Sequence, residues 1–123
     1  MIKDIIHVLK NGKNVEISKG DVYWVSLSPT IGTETQKTRP GVVVSGYAQN
    51  VSSKRVMIVP VTSQVTKIHP FETAICVAGE KAKAMANQMR SVDKQRLGKY
   101  ICTVTKSELR NIQSAIKIVL ELE

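Results

Sequence analysis

Residues 20–45, GDVYWVSLSPTIGTETQKTRPGVVVS, govern how the rest of the chain is read. Two apolar, strand-like stretches, Asp21–Ser28 and Gly41–Ser45, flank a polar loop that runs from Pro29 to Thr38 and closes on Arg39-Pro40. The first stretch alternates in part, which sets Val22, Trp24 and Leu27 on opposing faces of a strand. The second is a nearly continuous run of β-branched residues, the composition of a strand buried on both sides. Loops held by a rigid sheet are where binding and catalytic groups tend to sit. This one carries a carboxylate, Glu34, and a guanidinium, Arg39, with threonines on both sides.

Working outward, Val56–Val61 is a second continuous apolar run, and Glu72–Val77, Ala84–Val92 and Tyr100–Val104 are further candidate strands. Short strands at close spacing point to a small barrel or sandwich. The C-terminus is different. Thr105-Lys106-Ser107-Glu108 fits a capping box, and Leu109, Ile112, Ile116, Val119 and Leu120 then recur at three- and four-residue steps. This predicts one amphipathic helix packed on the sheet. Residues 1–10 have apolar positions at roughly helical spacing and stop at Asn11-Gly12. A short helix and a strand of a leading hairpin, turning at KNGKN, both fit them. No repeat, linker or low-complexity tract interrupts the 123 residues. The expectation is one mainly β domain with α (α+β), in which residues 1–19 extend a barrel spanning 20–122.

Lys and Arg total 18 against 10 Asp and Glu, a formal charge of +8 and a pI near 9.7. Such an excess favours an acidic partner: nucleic acid, an anionic membrane or an acidic protein. The aromatic residues are Tyr23, Trp24, Tyr47, Phe71 and Tyr100, too few for a base-stacking platform. Cys76 and Cys102 are the whole thiol inventory, expected as small buried hydrophobes rather than a disulfide scaffold or zinc site. No apolar run has the length of a signal-peptide core or a membrane span, so a cytoplasmic protein is expected.

Three segments could carry chemistry. In the first loop, Arg39 before Pro40 leaves an extended backbone in a defined direction, and guanidinium binds phosphate bidentately. Glu34 is the loop's carboxylate, and Thr33, Thr35 and Thr38 can donate to phosphate oxygens. A loop-closing Glu–Arg pair on a solvated surface explains the same residues. In the second segment, Val59–Gln64, a strand ends in Thr62, Ser63 and Gln64; ordinary turn bonding is the plain alternative. The third, Asn87–Arg96, is polar and basic, and a solvated charged loop would account for it. His7 and His69 lie in the extension and a loop, with nothing in the sequence to hold them together.

Taken together these segments resemble the MazF/PemK/Kid toxins, sequence-selective endoribonucleases of toxin–antitoxin pairs. That family shows a G-D-I/V-W/Y start, an E-x-x-x-x-R-P loop, a V-P-V/C-T-S/T strand end and a Q-I/V/M-R/K-S/T-I/V strand. Here they read Gly20–Tyr23, Glu34–Pro40, Val59–Ser63 and Gln88–Val92, in the same order. The resemblance implies a small SH3-like barrel of mostly antiparallel strands with a C-terminal helix, assembled as a homodimer (the MazF/CcdB-like toxin fold). It implies Glu34, Arg39 and Thr62 as catalytic groups, and Thr33, Thr38, Ser63, Gln64, Gln88 and Arg90 as substrate-binding ones. The implied reaction needs no metal or other cofactor: the 2′-OH of single-stranded mRNA attacks the neighbouring phosphorus, leaving a 2′,3′-cyclic phosphate and a 5′-OH. The implied partners are that RNA and a cognate acidic antitoxin, with no membrane and no metal.

The chain also departs from the family. Thr33 stands where some relatives have His or Ser, and Lys37 where Gly is common. Met85 and Asn87 occupy the positions of the Kid branch's Arg and Asp, so that acid–base pair does not transfer. Two other readings of the barrel stay open: a CcdB-like topoisomerase (gyrase) poison, and a non-catalytic nucleic-acid-binding barrel. The helix end Val119–Glu123 lacks the aromatic tail residues of the first, and the aromatic count weighs against the second.

Overall fold

The computed structural model describes residues 8–10, 13–27 and 38–123. The elements are β1 (Val8–Lys10), β2 (Lys13–Val15), β3 (Asp21–Ser26), β4 (Thr38–Val43), α1 (Tyr47–Ser52), β5 (Arg55–Thr62), β6 (Glu72–Val77), β7 (Glu80–Met85), β8 (Arg90–Asp93), β9 (Leu97–Thr103) and α2 (Lys106–Leu120). Single turns of 3-10 helix, Ala86–Gln88 and Lys94–Arg96, flank β8. Strands β1 and β2 pair as a hairpin, so of the two readings of the N-terminus the hairpin is the one adopted; residues 1–7 and Asn11-Gly12 lie outside the described residues.

The main sheet runs β6-β7-β5-β4-β3-β9, antiparallel throughout, with β8 also pairing β5. It curls into the barrel-like sheet expected, with α2 at its end. Strand β5 is the hub. Its first half, Arg55 to Ile58, pairs β8, and its last residues, Val61 and Thr62, pair β7. Pro60 sits where one partner gives way to the other, so a residue without an N–H is tolerated inside a central strand.

Hydrophobic residues pack on both faces of the sheet. Val22, Val42 and Val59 belong to one cluster, which Ile112 of α2 joins. Their chain neighbours Tyr23, Val43 and Ile58 belong to the other. Double burial explains why β4 and β5 read as unbroken apolar runs. It also corrects the alternation expected in the first strand: Val22, Tyr23, Val25 and Leu27 are buried, and Trp24 alone of that group is exposed, at 42%.

Other boundaries moved. The second strand begins at Thr38, not Gly41, so Arg39 and Pro40 are strand residues rather than the end of a loop. The stretch Ala84–Val92 is not one strand: the 3-10 turn at Ala86–Gln88 separates β7 from β8. Helix α1 was not anticipated; it is held by polar contacts instead of an apolar stripe. Ser45 Oγ donates to buried Asn50 Oδ1 (2.6 Å), and Asn50 Nδ2 donates to the Ser45 carbonyl (2.9 Å). Cys76 is exposed, against expectation, because Ile75 and Val77 take the inward positions of β6, whereas Cys102 on β9 is half-buried against the core.

The Gly-Asp start of the first motif is structural. Gly20 has φ of 94°, its N–H reaches the Val43 carbonyl (2.7 Å), and its own carbonyl receives the Val104 N–H (3.0 Å). Asp21, 2% exposed, accepts from Ser18 N–H (2.9 Å), Tyr23 OH (2.8 Å) and Thr103 Oγ1 (3.1 Å). Burial, reinforced by Asp21, pushes the Tyr23 phenol far above its ordinary value. At the other end the capping box forms as read: Thr105 Oγ1 accepts from Glu108 N–H (3.0 Å) and Glu108 Oε1 from Thr105 N–H (2.9 Å). The helix buries Ile112 and Ala115, while Leu120, expected on its apolar face, is exposed.

Candidate functional site

Strands β4, β5 and β7 place three polar side chains in one row. Gly41 pairs Pro60, so continuing that ladder by two residues sets Arg39 opposite Thr62. On the other side Thr62 pairs Lys83. Arg39 and Thr62, with Gln64, Lys83, Met85 and Gln88, line a recess of about 210 Å³. Strand geometry therefore brings Arg39, Thr62 and Lys83 to the wall of one small volume.

Each group is partly prepared for a ligand. Arg39 Nε is buried and has no hydrogen-bond partner among the described residues. Leaving such a donor unmade costs about 1–3 kcal/mol, so an orphan of this kind calls for an explanation such as a bound acceptor. Thr62 Oγ1 accepts the Gln64 N–H (3.3 Å), which leaves its own proton to donate outward. Gln88 Nε2 makes only a weak contact with Met85 Sδ (3.4 Å). Lys83 Nζ is held by Glu72 Oε1 at 2.9 Å and the Lys67 carbonyl at 2.6 Å. Burial would raise the Glu72 carboxyl, but the His69 amide and the Lys83 ammonium outweigh it and hold it below the usual carboxylate range.

A larger groove of about 420 Å³ adjoins the recess and shares Arg39 and Thr62. Trp24, Pro40, Val61, Val77 and Ile101 give it apolar walls, and Thr38 and Ser63 also line it. The residues singled out from sequence thus divide. Arg39, Thr62, Gln64 and Gln88 converge on the recess; Thr38 and Ser63 belong to the groove alone; Arg90, paired with Ile58 on β8, lines neither. Glu34 and Thr33 lie outside the described residues. Arg55 is committed to β8, through Ser91 Oγ and the Ser91 carbonyl (both 2.8 Å). His69 stacks on Phe71, with ring centroids 5.1 Å apart.

Sequence reasoning passed over Lys83. A lysine in EKAKAM reads as the solvated face of an edge strand, and its partner Glu72 lies eleven residues earlier. The outer position in the sheet belongs instead to β6, which leaves β7 between β6 and β5. Among the described residues no cluster of His, Cys, Asp and Glu could hold a metal ion, and no helix is long and apolar enough to cross a membrane.

Residues 18–120 match the model of the PemK-like, MazF-like toxin of type II toxin–antitoxin systems. The chain belongs to that family. It is 34% identical over 113 residues to endoribonuclease MazF9 of Mycobacterium tuberculosis, covering 85% of this chain and 96% of that one. To endoribonuclease toxin MazF of Escherichia coli it is 32% identical over 102 residues, covering 82% and 91%. Among solved structures, MazF from Deinococcus radiodurans superposes with a TM-score of 0.77 at 24% identity, covering 88% of this chain and 99% of its own. A mycobacterial endoribonuclease solved in complex with its cognate antitoxin gives 0.74 at 23% identity, with 87% and 97% covered. These structural likenesses establish the shared barrel fold.

Proposed function

We propose that this MazF-family endoribonuclease, the toxin of a toxin–antitoxin pair, cuts single-stranded mRNA at a short sequence by transesterification that needs no metal. The 2′-oxygen forms a bond to phosphorus, the bond from phosphorus to the 5′-oxygen breaks, and the products are a 2′,3′-cyclic phosphate and a 5′-OH. The observation that carries this reading is the buried, unpaired Nε of Arg39 beside Thr62, in a recess flanked by a second cation.

Negative charge grows on the non-bridging oxygens as phosphorus becomes pentacoordinate. The Arg39 fork and the Thr62 hydroxyl are donors suited to those oxygens. A guanidinium is a poor acid, so Arg39 chiefly stabilises charge, and the proton taken up by the leaving 5′-oxygen comes from solvent water. Glu34 is assigned as the base that receives the 2′-OH proton. Gln64 and Gln88 border the recess and are assigned to the RNA, with Thr33, Thr38, Ser63 and Arg90 as outer contacts along the strand. The protein acts in the cytoplasm as a homodimer. Its acidic antitoxin folds a disordered segment onto the basic surface and competes with RNA.

The test is incubation with a long single-stranded RNA in EDTA, followed by mapping of the ends. Cuts at one short sequence with 5′-OH termini, abolished in Arg39→Ala, are expected. Intact RNA with folded wild-type protein would reject the reading and turn attention to topoisomerase poisoning.

A further inference from the structure

We propose that Lys83 is a substrate-binding residue that donates a hydrogen bond to an RNA phosphate lodged in the recess between Arg39 and Thr62. The assignment rests on the ribonuclease reading of that recess and adds a residue to it.

Lys83 is built into the recess rather than lying over it. Its place on β7, paired with Thr62 on one side and Ala74 on the other, brings the side chain to the recess wall. The side chain is only 11% exposed, and its partner Glu72 only 7%. An ammonium has three N–H donors. Two go to the Lys67 carbonyl and Glu72 Oε1, and the third has no partner among the described residues. Glu72 is itself pinned by the His69 N–H (2.9 Å), so the ammonium is oriented before any ligand arrives. Little side-chain entropy is left to lose on binding.

The character of the ligand follows from what lines the recess. The Arg39 guanidinium, the Thr62 hydroxyl and the spare Lys83 N–H supply donors, and Gln64 and Gln88 add amides that both donate and accept. A group that satisfies them needs several acceptor oxygens within about 210 Å³, and preferably negative charge. A phosphodiester meets both conditions, and two cations with a hydroxyl favour it over an uncharged base edge. Glu72 offsets part of the ammonium's charge, but its Oε1 is shared with the His69 N–H and leaves one Lys83 N–H to donate.

The competing account is that Lys83 only anchors that loop. Removing Lys83 alone would strand a buried carboxylate, so the informative variant is the double change Lys83→Met/Glu72→Gln, with Lys83→Arg beside it. Binding is measured on a single-stranded RNA carrying 2′-O-methyl groups, which cannot be cut, over a range of salt concentrations. Each phosphate contact on a single strand contributes about 0.7 to the slope of log affinity against log salt. The double variant, with wild-type circular dichroism and melting, is expected to lose about 0.7 of slope and about tenfold in affinity. Lys83→Arg is expected to keep the slope. An unchanged slope in a folded double variant overturns the assignment while leaving the ribonuclease reading intact. Wild-type protein that neither binds nor cuts RNA overturns both.

Discussion

The Lys94 ammonium, 1% exposed, donates to the main-chain carbonyl of Asn50 at 2.5 Å, tying the 3-10 turn before β9 to helix α1. Burial pulls its pKa below the ordinary lysine value, with Glu16 acting in the other direction. In the unfolded chain Lys94 keeps its proton up to about pH 10.4, whereas the folded chain releases it earlier. Between the two values the unfolded state binds more protons, so stability rises with pH across that window. Subtracting the unfolding midpoints of Lys94→Met from those of wild type on the alkaline side, up to about pH 10.4, should isolate that rise. A flat difference would mean the ammonium is not desolvated.

Asp21 is a buried hub that serves three donors on three segments. Asp21→Ala leaves Ser18 N–H, Tyr23 OH and Thr103 Oγ1 without their acceptor, and a loss of about 3 kcal/mol or more is expected. Urea unfolding measures it. RNA cleavage by whatever fraction stays folded should be unchanged, since the first motif serves the fold.

Gly41 faces Val25 too closely for any larger residue. A Cβ there would lie 2.9 Å from Val25 Cγ2. Gly41→Ala should therefore cost about 1–3 kcal/mol. Adding Val25→Ala should recover part of it, a positive coupling that a double-mutant cycle reads directly.

The hairpin between β6 and β7 turns through Ala78 at φ 50° and Gly79 at φ 85°. A residue with a Cβ in the left-handed region costs roughly 1–2 kcal/mol, and the tight turn prefers Asn-Gly. Ala78→Asn should raise the melting temperature by a few degrees, corresponding to about 0.5–1 kcal/mol.

Arg39 and Thr62 should be costly to lose if they share one transition state. Removing a single donor from such a site costs about 2.7–4 kcal/mol, or 10²–10³ in rate. Arg39→Ala and Thr62→Ala are each expected to fall at least tenfold while remaining folded, and the double variant to fall by less than the product. Near-normal cleavage by either would sink the assignment.

What was legible in the sequence follows the strength of the local signal. The capping box and the three-and-four spacing of α2 are both local, and both appear as read. Strand β6 was bounded to the residue, Glu72–Val77. The break inside Ala84–Val92 carries neither Gly nor Pro; its one sequence signal is the polar run that opens at Asn87, which competes with the strand reading of the same residues. Helix α1 is six residues held by Ser45 and Asn50, too short to show a period. At the site, Arg39, Thr62, Gln64 and Gln88 could be brought together only through a family pattern, because they lie on separate segments that meet through the two ladders β4–β5 and β5–β7. Lys83 was hidden by its type, since a lysine becomes a recess-lining donor only once Glu72 and Lys67 hold it.

The pairing of β3 with β9 has a consequence for the order of assembly. Every residue lining the recess lies at or before Gln88, whereas Asp21 must wait for Thr103 to arrive as its partner. Pairings of such long sequence separation are slow to form, on the scale of milliseconds to seconds. The two elements that follow the recess residues, β9 and α2, add the edge strand beside β3 and a helix whose Ile112 joins the core. The recess residues thus all precede in the chain the strand that completes the Asp21 hydrogen bonds, so the recess draws its support from a pairing that forms across 82 residues.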